Sequence, residues 1–142
     1  MPVPGVREMH FSEEFAPFCA GEAVLDPAYE SVREGVLAML ALSGAPAEGV
    51  PARFTPDALL GGEEYALDAD EAGVFVRAGS PAGAVHAAAA MAQLCLEHGG
   101  RLPRCTIADA PLSHWRGFSL DVCRHFFPME TVKKIADLLA FY

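Results

Sequence analysis

The sequence predicts an α+β fold: a small, mainly antiparallel or mixed sheet with two helices on one face, followed by a single β/α unit. Three observations carry this expectation. Asp26-Pro27 and Ser80-Pro81 each place a capping residue before a proline at the head of a run with helical spacing. Residues 64–78 alternate as a hairpin does, and beyond residue 110 a second apolar strand pattern leads directly into a third helix.

Taken in order, Val3 to Phe11 alternates loosely, with Met9 and Phe11 able to share a face, and reads as an edge segment. The helix opened by Asp26-Pro27 carries Tyr29, Val32, Val36, Met39 and Leu40 at helical spacing and is stopped by Gly44. Ala45 to Pro51, rich in proline and glycine, reads as a connecting loop. Glu64 to Asp68 and Gly73 to Ala78 form two strands joined by the polar turn Ala69-Asp70-Glu71-Ala72. The helix opened by Ser80-Pro81 runs to Glu97 and ends at His98-Gly99-Gly100. Its middle, Ala87 to Ala92, is nearly free of large side chains and allows close approach to a sheet, with Val85, Leu94 and Leu96 expected to supply its apolar bulk. Leu102 to Ile107 is one more strand, and Asp109-Ala110-Pro111-Leu112-Ser113 marks a boundary, giving units of residues 1–110 and 111–142. In the second unit Phe118, Leu120 and Val122 share one side of a strand that begins at Trp115, and Pro128 opens a helix with Val132, Ile135, Leu138, Leu139 and Tyr142. A strand and helix without the parallel partner strand are half of a crossover unit, so the sequence reads as truncated.

Composition narrows the function classes. In 142 residues, 52% hydrophobic and 20% charged, there is material for one real core and little more. A net charge of -9 argues against a nucleic-acid partner, which needs clustered Lys and Arg. No apolar run reaches eighteen residues and Met1 to Gly5 lacks the pattern of a signal peptide, so no membrane span is expected; the reading is a cytoplasmic chain, or one whose export signal has been removed. Cys19, Cys95, Cys105 and Cys123 are scattered and read as reduced and mostly buried. Cys95 with His98, and Cys123 with His125, raise the question of zinc. The pairs fall in different units and neither forms a known ligand motif, so no metal and no cofactor is expected.

The segment Trp115-Arg116-Gly117-Phe118-Ser119-Leu120-Asp121-Val122-Cys123-Arg124-His125-Phe126-Phe127-Pro128 resembles the first barrel strand, and the loop after it, of the family 20 glycoside hydrolases, the β-N-acetylhexosaminidases. Glu64 to Leu67, Gly73 to Ala78, Ser80 to Ala84 and Gln93-Leu94 are similar to pieces of that family's accessory domain. Ala90-Met91 stands where the family often has Thr-Leu, and Leu112 where Arg is common. The resemblance implies an accessory domain followed by the first strand and helix of a truncated TIM barrel. For the parent enzyme it implies retaining hydrolysis of terminal β-linked N-acetylhexosamines, with the substrate's acetamido oxygen as nucleophile. The acid Glu and orienting Asp of that chemistry belong to a later His-x-Gly-Gly-Asp-Glu motif absent from these residues, so the chain alone is expected to be inactive. Gly61-Gly62-Glu63-Glu64 imitates the end of that motif but leads into the hairpin and reads as a solvated turn.

The resemblance gives Arg124 to the substrate, binding the 3- and 4-hydroxyls of the terminal sugar. Residue context alone favours a structural pairing with Asp121. Neither Asp121 nor His125 is assigned a role. Trp115, at the entry end of the strand, is expected in core packing. The rival reading is a free-standing noncatalytic module for protein or glycan interaction. With barrel neighbours missing, residues 115–142 are expected to mediate self-association.

Overall fold

A computed structural model describes residues 6–142. The opening residues Met1 to Gly5, with the start of the expected edge segment, lie outside the described residues. The chain divides into two compact units, Met1–Leu112 and Ser113–Tyr142.

The first unit is a six-stranded mixed sheet. Its strands are β1 (Val6–Phe15), β2 (Cys19–Leu25), β3 (Pro51–Pro56), β4 (Tyr65–Ala69), β5 (Val74–Ala78) and β6 (Pro103–Asp109), in the order β1-β6-β4-β5-β3-β2. β3 runs parallel to both β2 and β5, and the remaining pairings are antiparallel. β1 is the edge strand the sequence indicated. β2 and β3 differ from the sequence expectation, which has no strand in either place: β3 is bounded by Pro51 and Pro56, and Pro51 ends the stretch whose composition reads as a loop.

The parallel β2–β3 pair requires a crossover, and residues 27–41 supply it. The Asp26 side chain accepts the Ala28 N–H at 2.9 Å, and Pro27 presets the first turn. The turns that follow are tighter than an α-helix over Pro27–Val32, and α1 (Arg33–Ala41) completes the segment. Tyr29 is fully buried and donates its hydroxyl proton to the Ala78 carbonyl oxygen at 2.6 Å, tying the crossover to the end of β5. Burial raises its pKa, with Asp26 adding to the shift.

α2 (Pro81–Glu97) starts at Ser80, whose side chain accepts the Ala82 N–H at 3.1 Å. It packs against β4, β5 and α1. The face it buries is made of Ala84, Ala87, Ala88, Met91, Ala92 and Cys95. Leu96 is 53% exposed, and Val85 and Leu94 are only partly covered, so the expectation that these three supply the apolar bulk is corrected. The small side chains themselves make the contact because they let the helix axis close on the sheet. Opposite them lie Leu67, Val74 and Val76 of β4 and β5, with Phe54 and Ile107 buried in register beside them. On the other face of the sheet Arg77 pairs with Asp57 at 3.2 Å and with Asp68 at 3.5 Å.

The second unit contains α3 (Met129–Phe141), which begins behind Pro128 as the sequence indicated. Trp115 to Val122, expected to be a strand, forms none. A strand exists only where a neighbour takes its N–H and C=O groups, and no ladder partner for this segment occurs among the described residues. Trp115, expected in a core, is 84% exposed, because without a ladder nothing holds its ring against other apolar groups. No helix among the described residues is long and apolar enough to cross a membrane.

Candidate functional site

Arg124, the residue expected to touch a ligand, lies between the would-be strand and α3. Asp121 organises this stretch. Its Oδ1 accepts the backbone N–H of Cys123 at 2.9 Å and that of Arg124 at 3.2 Å, closing a turn over residues 121–124. Its Oδ2 lies 3.4 Å from Arg124 Nε. No other hydrogen bond or ion pair engages the Arg124 guanidinium among the described residues, and its side chain is 90% exposed. The Nε edge therefore faces a carboxylate, while the two terminal amino groups remain free to donate in parallel to a pair of oxygens.

His125 and Phe127 meet edge to face, with ring centroids 5.0 Å apart, directly after this turn. Upstream, the Ser113 hydroxyl donates to the Trp115 carbonyl oxygen at 2.9 Å, and Arg116 Nη1 donates to the Ser113 carbonyl oxygen at 2.6 Å. A local backbone carbonyl thus engages Arg116, whereas the Arg124 side chain is 90% exposed. Residue context alone pairs Arg124 with Asp121, as found; that Asp121 also ties down two backbone N–H groups is not legible from side-chain types.

The other candidate constellations separate. Gly61 to Glu64 is a turn in which the Gly61 N–H donates to Glu64 Oε2 at 2.8 Å and the Glu64 N–H to the Gly61 carbonyl oxygen at 3.0 Å. Glu63 pairs with His86 at 3.2 Å, and the Ser80 hydroxyl donates to the Gly62 carbonyl oxygen. The turn is thereby fastened to the start of α2. A Cβ on Gly79 would collide with the Gly61 carbonyl, so glycine is required where the two backbones cross. These acids have a structural task.

Cys95 lies in the core, where burial pushes its thiol up to about 12, and Cys105 is pushed up to about 11 by the same cause. A thiol held protonated is a poor metal ligand. His98 meanwhile donates from Nδ1 to the Leu94 carbonyl oxygen at 2.7 Å at the end of α2. Cys123 is exposed, and no group of three or more His, Cys, Asp or Glu side chains suited to a metal occurs among the described residues. Cys19, Cys95 and Cys105 are buried and all four cysteines are free thiols.

Two family models match the chain in succession. Residues 20–110 match glycosyl hydrolase family 20, domain 2, and residues 114–142 match the catalytic domain of the same family. A beta-N-acetylhexosaminidase from Cellulomonas fimi is 35% identical over 158 aligned positions, which cover all of this chain and 32% of the relative. A beta-hexosaminidase from Vibrio furnissii is 41% identical over 80 positions, covering 55% of this chain and 13% of that protein. Among solved structures, the Vibrio harveyi exo beta-N-acetylglucosaminidase in complex with N-acetylglucosamine superposes with a TM-score of 0.78 at 26% identity, over 99% of this chain and 24% of that one. The Streptomyces coelicolor beta-N-acetylhexosaminidase gives 0.75 at 26% identity, over 99% and 32%. The chain thus spans a third or less of the length of these relatives. With an accessory-domain match and a catalytic-domain match lying in sequence along it, the chain belongs to glycosyl hydrolase family 20.

Proposed function

We propose that this chain is part of a β-N-acetylhexosaminidase that removes terminal β-linked N-acetylhexosamine with retention of configuration. The observation that carries the reading is the catalytic-domain match over residues 114–142, which includes the turn holding Arg124 outward. In the reaction the acetamido oxygen of the substrate bonds to C1 as the glycosidic C–O bond breaks, and a Glu gives its proton to the leaving oxygen. Water then opens the cyclic intermediate. The Glu and its partner Asp are supplied from outside these 142 residues, so the chain alone does not turn over. Arg124 donates to the 3- and 4-hydroxyls of the terminal sugar, for which its two free amino groups are suited.

The test compares the 142-residue chain with the full-length protein on an aryl N-acetylglucosaminide. The chain is expected to release nothing above buffer, and the full-length protein to turn over. Turnover by the chain overturns its inactivity, and none by the full-length protein overturns the hexosaminidase reading. In the full-length protein Arg124→Ala is expected to lower kcat/KM by an amount equivalent to about 2–3 kcal/mol, the scale of hydrogen bonds from a charged group. An unchanged kcat/KM in a folded variant removes Arg124 from the site.

A second reading, a noncatalytic interaction module, draws support from the first unit, whose six strands and two helices enclose a core of their own. An open reading frame continuing to His-x-Gly-Gly-Asp-Glu supports the first reading, and a stop codon after Tyr142 the second. In either case Phe118, Val122, Leu138 and Leu139 are more than half exposed, and we expect this 142-residue chain to self-associate through residues 115–142.

A further inference from the structure

We infer that Asp121 is a positioning residue for Arg124, setting both where its backbone sits and which edge of its guanidinium faces outward. This deepens the proposed sugar-binding role of Arg124 and rests on it. A side chain ending in a planar fork binds two hydroxyls well only if its plane and its origin are both fixed. In an exposed arginine neither is fixed by packing, and the Arg124 side chain is 90% exposed.

One carboxylate addresses both freedoms. Oδ1 holds the Cys123 and Arg124 N–H groups at 2.9 and 3.2 Å, which sets the backbone from which the side chain departs. Oδ2 pairs with Nε at 3.4 Å, placing a negative charge beside the inner edge of the guanidinium. A ligand approaching through Nε meets that carboxylate, whereas the pair of terminal amino groups offers two donors on the open edge. An exposed pair three residues apart contributes little to stability, so the contact's consequence is geometric. A shorter or neutral side chain at position 121 would leave Arg124 charged and present but free to rotate.

Two substitutions separate the two oxygens. Asp121→Asn keeps an oxygen that accepts the two backbone N–H groups and removes the charge facing Nε; Asp121→Ala removes both. In the full-length protein, Asp121→Asn is expected to lower kcat/KM roughly tenfold, and Asp121→Ala further, towards the roughly hundredfold cost of a misplaced group. The decisive measurement is a double-mutant cycle. In an Arg124→Ala background, Asp121→Asn is expected to have almost no further effect, because there is no guanidinium left to orient. A substrate lacking the 4-hydroxyl gives an independent readout: its disadvantage against the natural sugar is expected to shrink in Asp121→Asn, which a purely structural aspartate would not cause.

An Asp121→Asn loss that persists undiminished without Arg124, or no loss at all, overturns the inference and leaves the role of Arg124 standing. If Arg124→Ala itself leaves kcat/KM unchanged, the sugar-binding reading falls and the inference falls with it. Thermal melts of each variant confirm that the comparisons are between folded proteins.

Discussion

Enlarging one alanine should harm this protein more than deleting one leucine. Ala88 is fully buried in the face of α2 that meets the sheet and α1, while Leu96, two turns later on the same helix, is 53% exposed. Ala88→Leu adds three carbons at a position with no exposure to solvent. Overpacking of this kind costs about 1–3 kcal/mol, and α2 cannot retreat without opening its contacts with Ala84, Ala87, Met91 and Ala92. For a unit of roughly a hundred residues each kcal/mol moves Tm by about 4–8 °C, so a fall of roughly 5–20 °C is expected. Leu96→Ala removes a half-solvated side chain and substitutes the best helix former, so its effect should stay within about 0.5 kcal/mol. Circular dichroism melts of the two variants and the parent, with urea titrations, provide the measurement. An Ala88→Leu variant that melts with the parent, or a Leu96→Ala variant that loses more than Ala88→Leu, would refute close helix–sheet approach as the organising contact.

Gly79→Ala should destabilise the fold by more than an ordinary surface substitution, because its methyl group meets the Gly61 carbonyl; a melt unchanged from the parent would show that the turn can move aside. Of the four cysteines only Cys123 should react quickly with a thiol reagent in the native state, the other three appearing after denaturation. Cys95 and Cys105 have folded pKa values of about 12 and 11 against an ordinary 9, so above pH 9 the unfolded state has given up protons that the folded state keeps. Their contribution is fully present below pH 9 and is lost as pH rises through about 11 to 12, which urea midpoints at pH 8 and pH 10.5 should register as a decrease. Light scattering should find the 142-residue chain associated and a chain ending near Asp109 monomeric; a monomeric long form, or a short form that still dimerises, counts against an interface in residues 115–142.

Much of the first unit could be read from local chemistry. Asp26-Pro27 and Ser80-Pro81 each cap through the side chain, and the β4–β5 hairpin alternates Val74, Val76 and Ala78 inward with Phe75 and Arg77 outward. β2 and β3 escaped because their signal is long-range. β2 contains Ala20, Gly21 and Ala23, which carry little strand preference, and β3 sits between two prolines. What makes them strands is pairing with each other and, for β3, with β5. The segment from Trp115 to Val122 fails in the opposite direction: its residues suit a strand, and no neighbour among the described residues pairs with it. At the candidate site the sequence could supply Arg124 and a nearby carboxylate. It could not supply the turn, because the two N–H groups that Asp121 captures belong to the backbone and carry no residue signature.

The sheet order has a topological consequence for the first unit. Val6 and Asp109 are cross-strand partners, so the strand that enters the sheet and the strand that leaves it lie side by side although about a hundred residues separate them along the chain. Such opposed residues sit roughly 5 Å apart. A short loop from Asp109 back to Val6 would therefore close the unit into a ring at small entropic cost, and new ends could be cut at another exposed turn, such as Asp70 to Gly73, without rearranging a strand. The same adjacency makes the β1–β6 pairing the longest closure in the fold. During folding the β4–β5 hairpin can form from neighbouring residues, whereas β1 must wait for β6 to exist before it has anything to join.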